Sequence, residues 1–350
     1  MGAGVTTEVE HALCNGEPSQ LLIPQLSRTF ALTIPKLPPN LQRSVGVSYL
    51  LCRAVDTIED SRLADPDQKV SQLECFLAAV DDDAIVPDVS RRITAELSGH
   101  VTREELDLLD NLPLLFGSLR AFSPRQQAAI RICLRKMASG MRFYVDRPNG
   151  LSDMRDLDQY CYVVAGVVGE MLTELFCDHC EEIDSRSEAL ERLAPSFGQG
   201  LQMTNILKDI WADKRDGRCW LPQDLFRSTS LDLADFEVAT SSPNFRPVML
   251  RLAATALEHL GNAVEYIQVV PRRQTGVRLF CLLAVGMAYA TLNQVMQASP
   301  FSSDYRPKIS RSTVRGVMLA APVVCRSNLL TRWTMGGMAR LCYSHAGRTS

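Results

Sequence analysis

The chain has 350 residues, of which 46% are hydrophobic and 22% charged, a balance that excludes a disordered or low-complexity protein. Its formal net charge of −3 argues against nucleic acid as a partner. Any anion site must therefore rest on locally placed Arg and Lys.

Apolar residues at three- and four-residue spacing predict helices over 41–60, 68–80, 125–145, 156–176, 196–213, 248–269 and 277–297. Breaks fall at Pro35 to Pro39, Asp81 to Pro87, Pro148 to Gly150, and Ser241 to Pro243. Alternating strand patterns are nearly absent, and Asp216-Gly217 follows a helix, where it reads as a turn. No repeat or Ser/Gly-rich linker divides the chain. The expectation is one all-α domain over residues 16–336, with loose tails at 1–15 and 337–350.

The N-terminal stretch lacks a basic segment followed by an apolar one, so no secretory signal is read. Cysteines are scattered singly except Cys177 and Cys180, with His179 between them. Without a second ligand pair these read as ordinary thiols rather than a zinc site. A reducing, cytoplasmic setting is expected. The longest apolar run, Leu279 to Leu292, falls short of the ~20 residues that cross a bilayer, and Gly316 to Cys325 is shorter and contains Pro322. No membrane span is predicted, and the first run reads as a buried core helix.

Two segments carry chemistry. In Tyr49-Leu-Leu-Cys-Arg53-Ala-Val-Asp56-Thr-Ile-Glu59-Asp60, helical spacing gathers Asp56, Glu59 and Asp60, with Arg53 and Tyr49 one and two turns earlier. The other positions are mostly apolar, so the carboxylates are expected to face an internal cavity. Buried carboxylates cost several kcal/mol each unless paired or bound to metal. In Gln202-Met-Thr-Asn205-Ile-Leu-Lys208-Asp209-Ile-Trp-Ala-Asp213, the residues Asn205, Asp209 and Asp213 follow at i, i+4 and i+8. Either stripe alone reads as a solvated surface. Together, on apolar helices far apart in the chain, they are expected to form opposing walls of one cavity holding Mg²⁺ and diphosphate.

These residues resemble the squalene and phytoene synthase family. The strings that carry the resemblance are Ser27-Arg28-Thr29-Phe30, Tyr49 through Asp60, Tyr160 through Gly169, and Gln202 through Asp213 followed by Gly217-Arg218. They stand in family order and spacing, and the likeness covers roughly residues 20–315. Met137 through Met141, Phe280 through Leu292 and Pro307-Lys308-Ile309 look most like squalene synthases. Lys208 stands where these enzymes commonly carry Arg, a point charge in place of a bidentate fork, and Ala212 replaces an acidic residue.

The resemblance implies an isoprenoid synthase bundle around a central apolar cavity. It implies head-to-head joining of two farnesyl diphosphates to presqualene diphosphate, then NADPH-dependent reduction to squalene. Alternatives are a phytoene or dehydrosqualene synthase, a presqualene diphosphate synthase without the reduction, or a non-catalytic assembly factor. Mg²⁺, with Mn²⁺ as a substitute, is assigned to Asp56, Asp60, Asn205, Asp209 and Asp213, with Glu59 assisting. Arg28, Arg53, Lys208 and Arg218 are assigned to diphosphate, Arg53 alternatively to pairing with the acids. Tyr160, with Tyr49, is a catalytic candidate for proton loss or cation stabilisation, or else a satisfied core tyrosine. Ala165, Gly166 and Gly169 either make room for an isoprenoid chain or allow close helix packing. No GxGxxG follows a strand, so NADPH is assigned on resemblance alone to Ser27, Asn205, Phe280 and Lys308, Phe280 being equally a core residue. Release of a C30 product leads to an expectation of peripheral membrane contact.

Overall fold

The computed structural model describes residues 18–346 except 64, 146, 148 and 149. The expected tail 1–15 and part of the break at Pro148 thus lie outside the described residues. Among those described, every regular element is helical, and the one bridge outside helices joins Leu151 to Pro222. The contacts gather into two compact units, residues 1–146 with 171–185, and residues 147–170 with 186–350.

The first unit contains α1 (Pro18–Leu26), α2 (Arg28–Thr33), α3 (Pro39–Asp60), α4 (Pro66–Asp81), α5 (Val86–Leu97), α6 (Arg103–Asp110), α7 (Leu112–Leu119) and α8 (Pro124–Tyr144). Helix α3 starts at a proline, whose fixed φ suits the first helical turn. It is packed by α1, α4, α6, α7 and α8, and is the spine of this unit. Helix α6 opens on a capping box, in which Thr102 and Glu105 satisfy each other's backbone N–H. Arg125 ties the start of α8 to residues 171–185, bonding Glu174 at 2.8 Å and Asp184 at 2.7 Å.

The second unit begins with α9 (Met154–Cys161), a π turn at Tyr162–Gly166 and the first turn of α10 (Val167–His179). After the short α11 (Glu181–Asp184) of the first unit come α12 (Ser187–Arg215), α13 (Gln223–Arg227), α14 (Phe236–Ser241), α15 (Phe245–Val269) and α16 (Thr275–Gln297). Helices α17 (Arg311–Val324) and α18 (Asn328–Ala346) close the unit. Its centre is α12, packed most extensively on α15 and next on the π turn. A Cβ on Gly198 would lie 2.0 Å from the Ala165 carbonyl oxygen, and one on Gly169 would lie 2.2 Å from that of Ala194. Glycine there lets two backbones touch, so close packing explains Gly169. A polar chain also joins α9, α12 and α15. Ser196 Oγ is 2.8 Å from His259 Nδ1, His259 Nε2 is 3.1 Å from Asp158, and Asn262 donates to Ser196 at 2.9 Å.

Arg278 is fully buried in α16. Its Nε donates to the Cys325 carbonyl at 2.5 Å, its Nη1 to those of Ile267 and Val270 at 2.5 and 2.7 Å, and its Nη2 to Asn328 Oδ1 at 2.8 Å. These acceptors sit at the C-terminal ends of α15 and α17 and the start of α18, so one cation serves carbonyl groups that a helix leaves without intrahelical partners.

Two expectations change here. Residues 337–346 are not a loose tail but continue α18. Met335 and Cys342, one heptad apart, are buried, and the Cys342 thiol donates to the Tyr289 carbonyl at 3.6 Å. Length does not rule out a span either. Met154–His179 and Thr275–Gln297 are both long and apolar enough to cross a membrane, but 78% of the latter's most apolar window is buried among other residues. Burial, rather than length, makes it a core helix.

Candidate active site

In the first unit, every residue from Ser44 to Asp60 is buried except Tyr49, Arg53, Asp56 and Asp60. Their spacing of four, three and four is one face of a helix, so α3 opens a single polar line through apolar surroundings. Glu59 is not on that line: it is buried, and its carbonyl accepts from Lys69 at 2.9 Å.

Tyr49 packs its ring against Phe30 at 4.6 Å. Burial pushes its hydroxyl pKa up, against the pull of a hydrogen bond with Ser27. Ser27 also caps α2, accepting from the Phe30 N–H at 3.2 Å. Arg28 begins α2, but its side chain lies outside the described residues. Arg53 reaches Glu105 on α6 at 2.6 Å, while its Nε is buried without a hydrogen-bond partner. Arg53 therefore hydrogen-bonds Glu105 while the charges of Asp56 and Asp60 also act on it, and one buried N–H is left without an acceptor. The Asp56 carboxyl is pushed up to about 7 by desolvation, opposed by Arg53 and helped by neighbouring Asp60.

In the second unit, α12 presents Gln202, Asn205, Lys208, Asp209 and Asp213 at its accessible side, while Met203, Thr204, Ile206, Leu207, Ile210 and Trp211 are buried. Lys208 Nζ lies 3.0 Å from Asp209. Beyond the helix, Gly217 takes φ +76°, a left-handed conformation that costs glycine little, and the Arg218 N–H donates to the Asp213 carbonyl at 2.8 Å. This turn brings Arg218 back beside the last acid of the stripe, with a 3.6 Å ion pair to Asp216.

Tyr160 is buried and stacks on Trp220, with ring centroids 4.0 Å apart and planes 14° off parallel. Trp220 also borders a tight crevice, too narrow to hold a water molecule, with Ile206, Ile210, Asp213 and Phe236 among its walls. Phe280 is only 3% exposed and offers no face to a nucleotide, whereas Lys308 and Asn205 are exposed. Lys308 follows a segment anchored to α12 by Trp211 Nε1 donating to the Phe301 carbonyl at 2.9 Å and Tyr305 donating to that of Leu207 at 2.8 Å.

Trp220 and Glu105 were not singled out in sequence. The Thr102-to-Glu105 spacing marks a helix start and so offered a signal, but nothing local pairs Glu105 with a residue 52 positions away. Trp220, near the Asp216-Gly217 turn, carries no comparable signal.

The squalene/phytoene synthase family profile matches residues 23–313. This chain belongs to that family. It is 29% identical to the squalene synthase of Cyberlindnera jadinii over 297 residues, covering 84% of this chain and 64% of that protein. It is 31% identical to those of Eremothecium gossypii, over 77% of this chain and 60% of that one, and Saccharomyces cerevisiae, over 76% and 58%. The chain thus spans roughly three fifths of the length of these relatives. Its fold is similar to that of TcSQS in complex with the ligand BPH1237, with a TM-score of 0.75 at 23% identity over 93% of this chain and 98% of that one. A dehydrosqualene synthase in complex with a ligand gives 0.60 at 20% identity, over 91% and 97%.

Mg²⁺ fits the residues present. The donors are oxygens only, Asp56 is a desolvated carboxyl beside a second one, and a buried Arg53 N–H stands next to them. Among the described residues, no three Asp, Glu, His or Cys side chains gather to hold an ion. Mg²⁺ usually takes one or two carboxylates and completes its shell with phosphate and water, so such sparse donor sets suit it.

Proposed function

We propose that this chain joins two farnesyl diphosphates head to head into presqualene diphosphate and then reduces that product to squalene with NADPH. The observation that carries the reading is the open line of Tyr49, Arg53, Asp56 and Asp60 along an otherwise buried helix. Membership of the family and likeness to named squalene synthases support it.

In this reading Asp56 and Asp60 on α3, and Asn205, Asp209 and Asp213 on α12, hold Mg²⁺, with Mn²⁺ as a substitute. Bound Mg²⁺ neutralises diphosphate oxygens and so eases departure of the leaving group. Arg53 donates its buried N–H to a phosphate oxygen while Glu105 fixes the guanidinium plane. Arg28, Lys208 and Arg218 add positive charge, Lys208 less directionally. The apolar residues around both stripes exclude water, which would quench an allylic cation. Tyr160, buried and stacked on Trp220, is the candidate for assisting proton loss or steadying cationic charge, a role that requires the stack to open toward substrate. Asn205 and Lys308 are the open polar groups assigned to NADPH, whereas Ser27 is engaged in capping and with Tyr49.

Incubating the full chain with farnesyl diphosphate and Mg²⁺, with and without NADPH, and separating the extracted hydrocarbons tests this. Squalene formed only with NADPH is the expected result. A C30 product with conjugated central double bonds regardless of NADPH replaces the reading with a dehydrosqualene synthase. Absence of any C30 product overturns it.

A further inference from the structure

Seven of the twelve large hydrophobic side chains exposed on the described surface lie within residues 319–343, on α17 and α18. Leu319, Leu329 and Trp333 are 79%, 76% and 71% exposed, with Val323 and Leu341 close behind. The same stretch of chain has no acid. After Asp304 no Asp or Glu occurs to the end of the sequence, while eight Lys and Arg do; the preceding 304 residues carry 29 basic against 40 acidic residues. Arg315, Arg326, Arg332 and Arg340 are all exposed.

The two sets share faces. On α17, Arg315, Leu319 and Val323 follow at four-residue steps, with Arg326 just beyond its end. On α18, Leu329 and Trp333 are four apart, and Arg340 with Leu341 lie two turns further along. Both helices dock their opposite sides on α16, where Ala321, Val324, Thr331, Met335 and Cys342 are buried. Glu258 on α15 lies close enough to Tyr343 to influence its hydroxyl and marks an acidic border to the patch.

We propose that the outer face of α17 and α18 docks on an anionic phospholipid bilayer, lying in the interface rather than crossing it. Exposed Leu and Trp reward insertion among acyl chains, and arginines at the same depth meet headgroup phosphates. Nucleic acid would reward the arginines but not the leucines. At 14 and 19 residues, with arginines along their length, neither helix is built as a span. The docking stands whether or not the proposed reaction is right.

Trp333 provides the readout, because the other two tryptophans, Trp211 and Trp220, are buried. The full chain is mixed with vesicles of phosphatidylcholine alone, or with roughly 30% phosphatidylglycerol added, and followed by flotation and tryptophan emission. About tenfold stronger partition to the anionic vesicles is expected, weakened by salt, with a blue shift absent in Trp333→Phe. Leu329→Asp should lower partition about tenfold, and Arg332→Glu with Arg340→Glu should erase the preference for anionic lipid, both with unchanged far-UV ellipticity. No binding, or equal binding to both vesicle types, overturns the proposal. So does a concentration-dependent dimer that Trp333→Asp disperses, since the face would then belong to a second copy of the chain.

Discussion

Replacing Arg278 by methionine tests how the second unit is held together. The guanidinium is wholly buried and makes four hydrogen bonds of 2.5–2.8 Å to three backbone carbonyls and the Asn328 side chain. Burial draws its pKa down, without displacing it from the charged state that arginine keeps at any ordinary pH. A charge-assisted bond contributes ~1.5–3 kcal/mol, but methionine also relieves the cost of keeping a cation out of water, so the four do not simply add. What remains is the stranding of four acceptors at ~1 kcal/mol or more each, for a net loss of about 3–5 kcal/mol. Urea unfolding of Arg278→Met followed by ellipticity reads this as a lower midpoint at similar slope. Arg278→Lys keeps charge but loses the planar fork, so its midpoint should fall between the two. A loss below about 1 kcal/mol for the methionine variant would refute the reasoning, by showing that water or neighbouring donors serve those carbonyls as well.

Gly198→Ala should cost about 3 kcal/mol, because its new Cβ meets the Ala165 carbonyl, a backbone group that no rotamer change can move. Gly261→Ala, on the same unit with nothing within 4 Å of its new Cβ, should instead gain about 0.5–1 kcal/mol, and the two thermal midpoints should move in opposite directions. Asp56→Asn and Asp209→Asn should each lower kcat at least ~100-fold with unchanged far-UV ellipticity. Chelation by EDTA should silence the native enzyme until excess Mg²⁺ is restored. Near-native turnover in both variants would remove these acids from the reaction.

The helices and the polar line on α3 could be read from the sequence because each rests on a local period. Tyr49, Arg53, Asp56 and Asp60 interrupt an apolar helix at helical spacing, and that alone predicts one shared face. Glu59 satisfied the same spacing rule, yet tertiary packing buries it. Residues from 337 onward read as a loose tail, but the docking of Met335 and Cys342 keeps Gly336 and Gly337 inside α18 against the ~1 kcal/mol that a helical glycine costs. Arg278 gave no local signal, since its acceptors are the ends of helices that only the fold brings together. The π turn at Tyr162–Gly166 was equally silent, because its residues suit an ordinary α-helix.

Glu105 has two duties. One oxygen accepts from Thr102 at 3.0 Å through the backbone and 2.9 Å through the hydroxyl, while the other holds Arg53. The carboxylate that starts a peripheral helix thus also sets the aim of a cation on α3. An amide at this position could preserve the local fold and still let the guanidinium swing, so damage to catalysis could arise from a place that looks like scaffolding.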